Sequence, residues 1–120
     1  MPRVLVVDDE AGVRESIRML LRGECEVLAV DSVDAALRSL AETHVDLVLL
    51  DLVMPGRGGF ALLEELAKRR DAPAVLVLTG TRLEQTAERA LSLGAVDCIR
   101  KPFEVEALRT RVRELLKGKP

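Results

Sequence analysis

The sequence predicts an α/β domain of (βα)5 form: a doubly wound, parallel, five-stranded sheet with helices on both faces. Three observations carry that prediction. Short all-apolar runs alternate five times with stretches of helical period. Those runs lack the in–out alternation of a half-exposed strand, so both faces of the sheet must be covered. Finally, 120 residues hold one core, and five units fall short of the eight that close a barrel.

The first strand is read at Val4 to Val7. A helix follows, because Val13, Ile17, Leu20 and Leu21 recur on one face while Arg14, Glu15 and Arg18 take the other. The linker Arg22-Gly23-Glu24 leads to a strand at Val27 to Val30, and Val33, Ala36, Leu37, Leu40 and Ala41 form the next stripe. Leu47 to Leu50 is the third strand. Gly58 and Gly59 then precede a stripe at Phe60, Leu63, Leu66 and Ala67, and Val75 to Leu78 follows Pro73 as the fourth strand. Leu83, Ala87, Ala90 and Leu91 make a helix stopped by Gly94; Cys98 and Ile99 form a short strand. Val105, Leu108, Val112 and Leu115 close the chain as a helix.

Composition bounds what such a domain does. With 48% hydrophobic and 32% charged residues, the chain buries enough apolar surface to offset its ordering entropy, which excludes global disorder. A net charge of -2 supplies no basic field for phosphate backbones or anionic lipid, so neither nucleic acid nor membrane is the expected partner. Trp and Tyr are absent and only Phe60 and Phe103 are aromatic, which excludes a base-stacking platform. No apolar run approaches the roughly 20 residues of a bilayer span, and the expectation is a cytoplasmic protein. Cys25 and Cys98 lack CxxC spacing and neighbouring His; they read as reduced structural thiols. One domain spans 1–120, and the segment from Lys117 reads as a linker toward an output domain or as a solvated helix end.

In an open parallel sheet, ligands bind beyond the carboxyl ends of the strands, where the strand order reverses. The residues in those places are Asp8 and Asp9 after the first strand, Asp51 after the third, Thr79 after the fourth, and Arg100-Lys101-Pro102 after the fifth. Crowded carboxylates repel unless a cation neutralises them, and hard oxygen ligands favour Mg²⁺ over Zn²⁺. Mg²⁺ commonly bridges protein carboxylates to a phosphoryl oxygen, which points this cluster toward phosphate chemistry. The Lys101 ammonium suits a phosphoryl oxygen, Thr79 offers a hydroxyl to another, and Asp51 is the carboxylate placed to form an aspartyl phosphate while Asp8 and Asp9 hold metal.

Plainer readings exist for each residue. Asp8-Asp9-Glu10 could cap the first helix, Thr79-Gly80 could be a turn, and Lys101 a solvated charge; only their joint placement is specific. Asp31, Asp46 and Asp71 read as turn or cap residues, and His44, without a ligand partner at metal spacing, as surface. Gly56-Arg57-Gly58-Gly59 fits neither GxxxxGK nor GxGxxG, which removes the main support for nucleotide binding. A phosphatase of the haloacid type needs a DxD after its first strand, and Asp8-Asp9 are adjacent.

VLVVDDE at 4–10, LVLLDLVMPGRGG at 47–59, VLTG at 77–80 and GAVDCIRKPF at 94–103 together resemble the response-regulator receiver domain of two-component signalling, and the likeness covers nearly the whole chain. The resemblance implies a flavodoxin-like sheet of order 2-1-3-4-5, with Asp51 taking a phosphoryl group from a sensor histidine kinase, a phosphotransfer protein or a small phosphodonor. It implies direct Mg²⁺ contacts from Asp9, Asp51 and the Val53 backbone carbonyl, a water-mediated role for Asp8, and Lys101 and Thr79 on phosphoryl oxygens. It also implies a cis Lys101–Pro102 bond that aims Lys101 inward. Partners would be the kinase and an output domain or effector, with dimerisation through the fourth helix, fifth strand and fifth helix as one mode among relatives. The competing class is a degenerate receiver that binds proteins without phosphorylation.

Three departures from the family pattern follow. Cys98 stands where relatives place a Tyr or Phe that swings inward, so the signal must cross that face differently. Val53, two residues past Asp51, is apolar where some relatives carry a residue that orients water, which predicts a slowly hydrolysing phosphoryl group. The Arg22-Gly23-Glu24 linker is short and lacks an aromatic near Cys25, a matter of packing.

Overall fold

A computed structural model describes residues 1–54, 58–80 and 83–119, with the side chains of 83–85 outside that description. The elements run β1 (Arg3–Val7), α1 (Ala11–Leu20), β2 (Glu26–Val30), α2 (Val33–Glu42), β3 (Leu47–Asp51), α3 (Gly59–Ala67), β4 (Ala74–Thr79), α4 (Leu83–Ser92), β5 (Asp97–Arg100) and α5 (Val105–Leu116). All four strand pairings are parallel, in the order β2-β1-β3-β4-β5.

The apolar runs divide by parity, as a pleated strand requires. Leu5, Val7, Val48, Leu50, Val75 and Val77 face one way, onto Val33 and Ala36 of α2, Leu62, Leu63 and Leu66 of α3, and Ala90 of α4. Val4, Val6, Leu47, Leu49, Leu76 and Leu78 face the other way, onto Ile17 and Leu20 of α1 and Leu108, Val112 and Leu116 of α5. Each fully buried Leu or Val is worth about 1.5–3 kcal/mol of transfer free energy. β1 lies between β2 and β3, so the chain reverses direction across the sheet there and leaves a crevice at the carboxyl ends of β1 and β3.

Several stripe positions differ from expectation. On α3, Leu62 is buried and Ala67 exposed, because the helix starts at Gly59 and turns its apolar arc by one residue. Leu91 and Val105 are exposed, while Leu93, past the end of α4, packs on the core instead. The end strands are longer than their apolar cores, because parallel pairing extends to Arg3↔Glu26 and Thr79↔Arg100. Two readings fall on residues outside the description: the Gly56-Arg57 part of the glycine stretch, and the packing of Leu83.

Local chemistry sets the boundaries. Ser32 caps α2 by accepting the Ala35 N–H at 3.1 Å, a role the neighbouring Asp31 does not take. Gly23 (φ 84°) turns the short α1–β2 linker and Gly94 (φ 106°) ends α4, both in the left-handed region that a Cβ disfavours. Asp46 acts beyond its own turn: its Oδ2 accepts the Arg3 N–H at 2.8 Å and its Oδ1 meets His44 Nε2 at 2.9 Å, which pins the start of β1. No described helix is long and apolar enough to cross a membrane.

Candidate functional site

Asp8, Asp9 and Glu10 leave the carboxyl end of β1, Asp51 ends β3, Thr79 ends β4, and Lys101 follows β5. These positions are adjacent only because β1, β3, β4 and β5 are neighbours in register. Carboxylate oxygens of Asp8, Asp9, Glu10 and Asp51 all lie within 4.8 Å of one another. Three of them, Asp9, Glu10 and Asp51, line a pocket of about 250 Å³ together with Val53, Gly80 and Lys101.

The buried members are held from several sides. Asp8 is 1% exposed; its Oδ1 accepts the Glu10 N–H at 2.9 Å, and its backbone carbonyl accepts Arg14 Nη1 at 2.8 Å. Asp51 is 4% exposed, and its Oδ1 accepts the Val53 N–H at 3.1 Å. Lys101 Nζ reaches Asp8 Oδ2 at 2.7 Å, Asp51 Oδ2 at 3.4 Å and Glu10 Oε1 at 3.5 Å. The Lys101 N–H also donates to the Thr79 carbonyl at 2.8 Å, so the β5–α5 loop is fastened to the end of β4; the Lys101–Pro102 peptide is cis. Thr79 is fully buried. The capping alternative for the acidic trio is not realised, since Glu10 is the N-cap of α1 and its side chain accepts no helix amide.

Electrostatics follow from this geometry. Burial raises the Asp51 carboxyl above its ordinary pKa and the Asp8 charge adds to that, against the opposing Val53 N–H and Lys101 ammonium. Burial alone would lower the Lys101 ammonium, but the hydrogen bond and charge of Asp8, with Asp51 and Glu10, lift it above its usual value. The Lys101 ammonium thus pairs with three of the four clustered carboxylates. All the convergent donors are carboxylate oxygens, two of them buried, which fits a hard divalent cation such as Mg²⁺ and not a softer metal.

Three contributors were weak or silent in the sequence. Glu10 was visible only as the third acid of a run. Gly59 was visible as a glycine before a helix stripe, yet a Cβ there would lie 2.6 Å from the Asp51 carbonyl oxygen and 2.7 Å from Leu52 Cα. Arg14 gave no signal beyond its polar face. Of the departures, Val53 is 58% exposed at the pocket rim. Cys98 packs half-buried against the α2–α3–α4 core, its N–H bonded to Asp97 Oδ1 at 2.8 Å and its thiol pKa raised by burial. Cys25 is buried with its thiol pushed up to about 11, chiefly by desolvation. Neither thiol is in a disulfide.

A doubly wound sheet with an acidic crevice at its switch point and a lysine across it defines a phosphate-chemistry domain of the receiver kind. Residues 4–113 match the family described as the response regulator receiver domain, and the chain belongs to that family, the phosphoacceptor module of two-component signalling. Among curated proteins it is similar to response regulator MprA of a Mycobacterium species, 39% identical over 117 residues, covering 96% of this chain and 50% of that protein. It is also similar to the phosphate regulon transcriptional regulatory protein PhoB of Escherichia coli, 34% identical over 119 residues, covering 96% and 52%. The chain thus spans about half the length of these relatives. Among solved structures, the Francisella response regulator 1452 receiver domain superposes with a TM-score of 0.91 at 26% identity, over 100% of both chains.

Proposed function

We propose that the domain takes a phosphoryl group onto an Asp51 carboxylate oxygen, in a Mg²⁺-dependent reaction, and that the product changes its contacts with an output domain or effector. The donor is a phosphohistidine of a sensor kinase or phosphotransfer protein, or a small phosphodonor. An O–P bond forms at Asp51 while the donor's N–P or O–P bond breaks, and the donor's leaving group departs with the electron pair. The observation that carries this reading is the buried Asp51 carboxylate 3.4 Å from Lys101 Nζ at the sheet's switch point.

Each residue has a part. Burial of Asp51 destabilises its charged form, so the carboxylate is poised to share its charge. Lys101 neutralises oxygens of the arriving group, and the Thr79 hydroxyl completes their contacts. Asp9, Asp51 and the Val53 carbonyl would hold Mg²⁺, with Asp8 acting through water; when bound, the ion supplies the positive charge that lets an anionic donor approach three acids. The Val53 side chain offers no hydrogen bond to an attacking water, which supports a long-lived phosphoryl group. Output would pass through the face of α4, β5 and α5, where Leu91 and Val96 are exposed and Cys98 replaces an inward-swinging ring. Kinship with response regulators supports a cytoplasmic setting.

The test mixes the protein with Mg²⁺ and acetyl phosphate and reads intact mass. One phosphoryl adduct, lost with Asp51→Asn and with chelator, is the expected result. No adduct in the native chain, or an adduct that survives Asp51→Asn, overturns the reading; the first outcome leaves the protein-binding module.

A further inference from the structure

We propose that Glu10 is a positioning residue of the acid pocket: its carboxylate raises the pocket's affinity for Mg²⁺ and opposes the entry of an anionic phosphodonor. The inference rests on the pocket's reading as a cation site.

Glu10 has a plain alternative as an exposed N-cap of α1, but its side chain makes no capping bond. Its carboxylate is turned to the pocket, where an oxygen lies within 4.8 Å of oxygens on Asp8, Asp9 and Asp51, and 3.5 Å from Lys101 Nζ. Glu10 also stands with Gly80 and Lys101 on the ridge between the pocket and an adjoining groove of about 700 Å³, so any ligand passing over that ridge meets its charge.

Burial separates Glu10 from its neighbours. Asp8 and Asp51 are 1% and 4% exposed, whereas the Glu10 side chain is 64% exposed and reaches water. Formal charges of the four acids and Lys101 sum to about -3; a divalent cation leaves about -1, and without Glu10 it leaves zero. A carboxylate about 5 Å from a divalent cation in a water-like dielectric strengthens binding by roughly tenfold, which salt screening reduces to about three- to tenfold. The same residual charge slows a negatively charged donor at a pocket already loaded with cation.

The test compares the native protein with Glu10→Gln, using Asp9→Asn as control. With no Trp or Tyr to report, Mg²⁺ titrations are followed by amide chemical shifts or by calorimetry. Glu10→Gln is expected to bind Mg²⁺ about three- to tenfold more weakly, the deficit narrowing as ionic strength rises, while Asp9→Asn loses far more. At saturating Mg²⁺ the variant should accept phosphoryl from acetyl phosphate at least as fast as the native chain. A merely structural defect would lower both quantities, and that result overturns the proposal. Equal Mg²⁺ affinity in Glu10→Gln, with Asp9→Asn impaired, also overturns it. If Asp9→Asn too binds Mg²⁺ like the native chain, the cation-site reading itself fails.

Discussion

Gly59→Ala separates helix propensity from tertiary contact. Propensity alone favours Ala at this helical position by about 0.5–1 kcal/mol. The structure reverses the sign: a Cβ would sit 2.6 Å from the Asp51 carbonyl oxygen, 2.7 Å from Leu52 Cα and 3.2 Å from the Asp51 carbonyl carbon, all backbone atoms. Overpacking of that kind costs about 1–3 kcal/mol, so the net loss should be about 1–2 kcal/mol, or roughly 3–8 °C in Tm for a chain of this length. Gly12→Ala, where nothing lies within 4 Å, should instead gain about 0.5–1 kcal/mol. Urea unfolding followed by far-ultraviolet circular dichroism measures both. Because Gly59 packs under the acceptor's own carbonyl, phosphorylation of Gly59→Ala by acetyl phosphate should also slow. A Gly59→Ala protein as stable as the native one, beside a stabilised Gly12→Ala, would refute the claim that α3 is docked this tightly beneath Asp51.

Three further outcomes follow from the geometry. Burial raises the Asp51 pKa, so its ionised form weakens the metal-free fold: the penalty starts near the ordinary carboxylate value of about 4 and is complete above the raised folded value. Asp51→Asn in chelator should therefore melt higher than the native protein at pH 7, with the difference closing below about pH 4. Asp46 has the opposite sign, because the Arg3 N–H holds its carboxyl below the usual range. Its stabilisation is present above about pH 4 and lost as pH falls through the lowered folded value; Asp46→Ala should cost about 1–3 kcal/mol at pH 7 by stranding that N–H, and less in acid melts. Val53→Asn should shorten the phosphoryl half-life by about tenfold, roughly the barrier change of one hydrogen bond to attacking water, and an unchanged decay followed by mass spectrometry would count against it.

The elements were legible because each obeys a local rule. Apolar runs in a parallel sheet need no partner to be recognised, and Ile17, Leu20, Leu108 and Val112 mark buried helix faces by spacing alone. Errors fell where two contacts compete for one stripe: Leu91 fits the helical period, yet the core takes Leu93 beyond the helix end. The acid positions were also legible, since a carboxylate directly after a buried strand is conspicuous.

The chain's own letters determined the alternation of strand and helix, the two-sided burial of the sheet, and which residues stand at the strand ends, because those depend on neighbours a few positions away. Tertiary structure alone decided that Lys101 spans Asp8, Asp51 and Glu10, that Glu10 faces the pocket instead of capping its helix, and that the Asp51 carbonyl occupies the space a side chain at Gly59 would need. Those contacts join segments up to 93 residues apart. Their energies are set by register between strands and by burial, which no local pattern encodes.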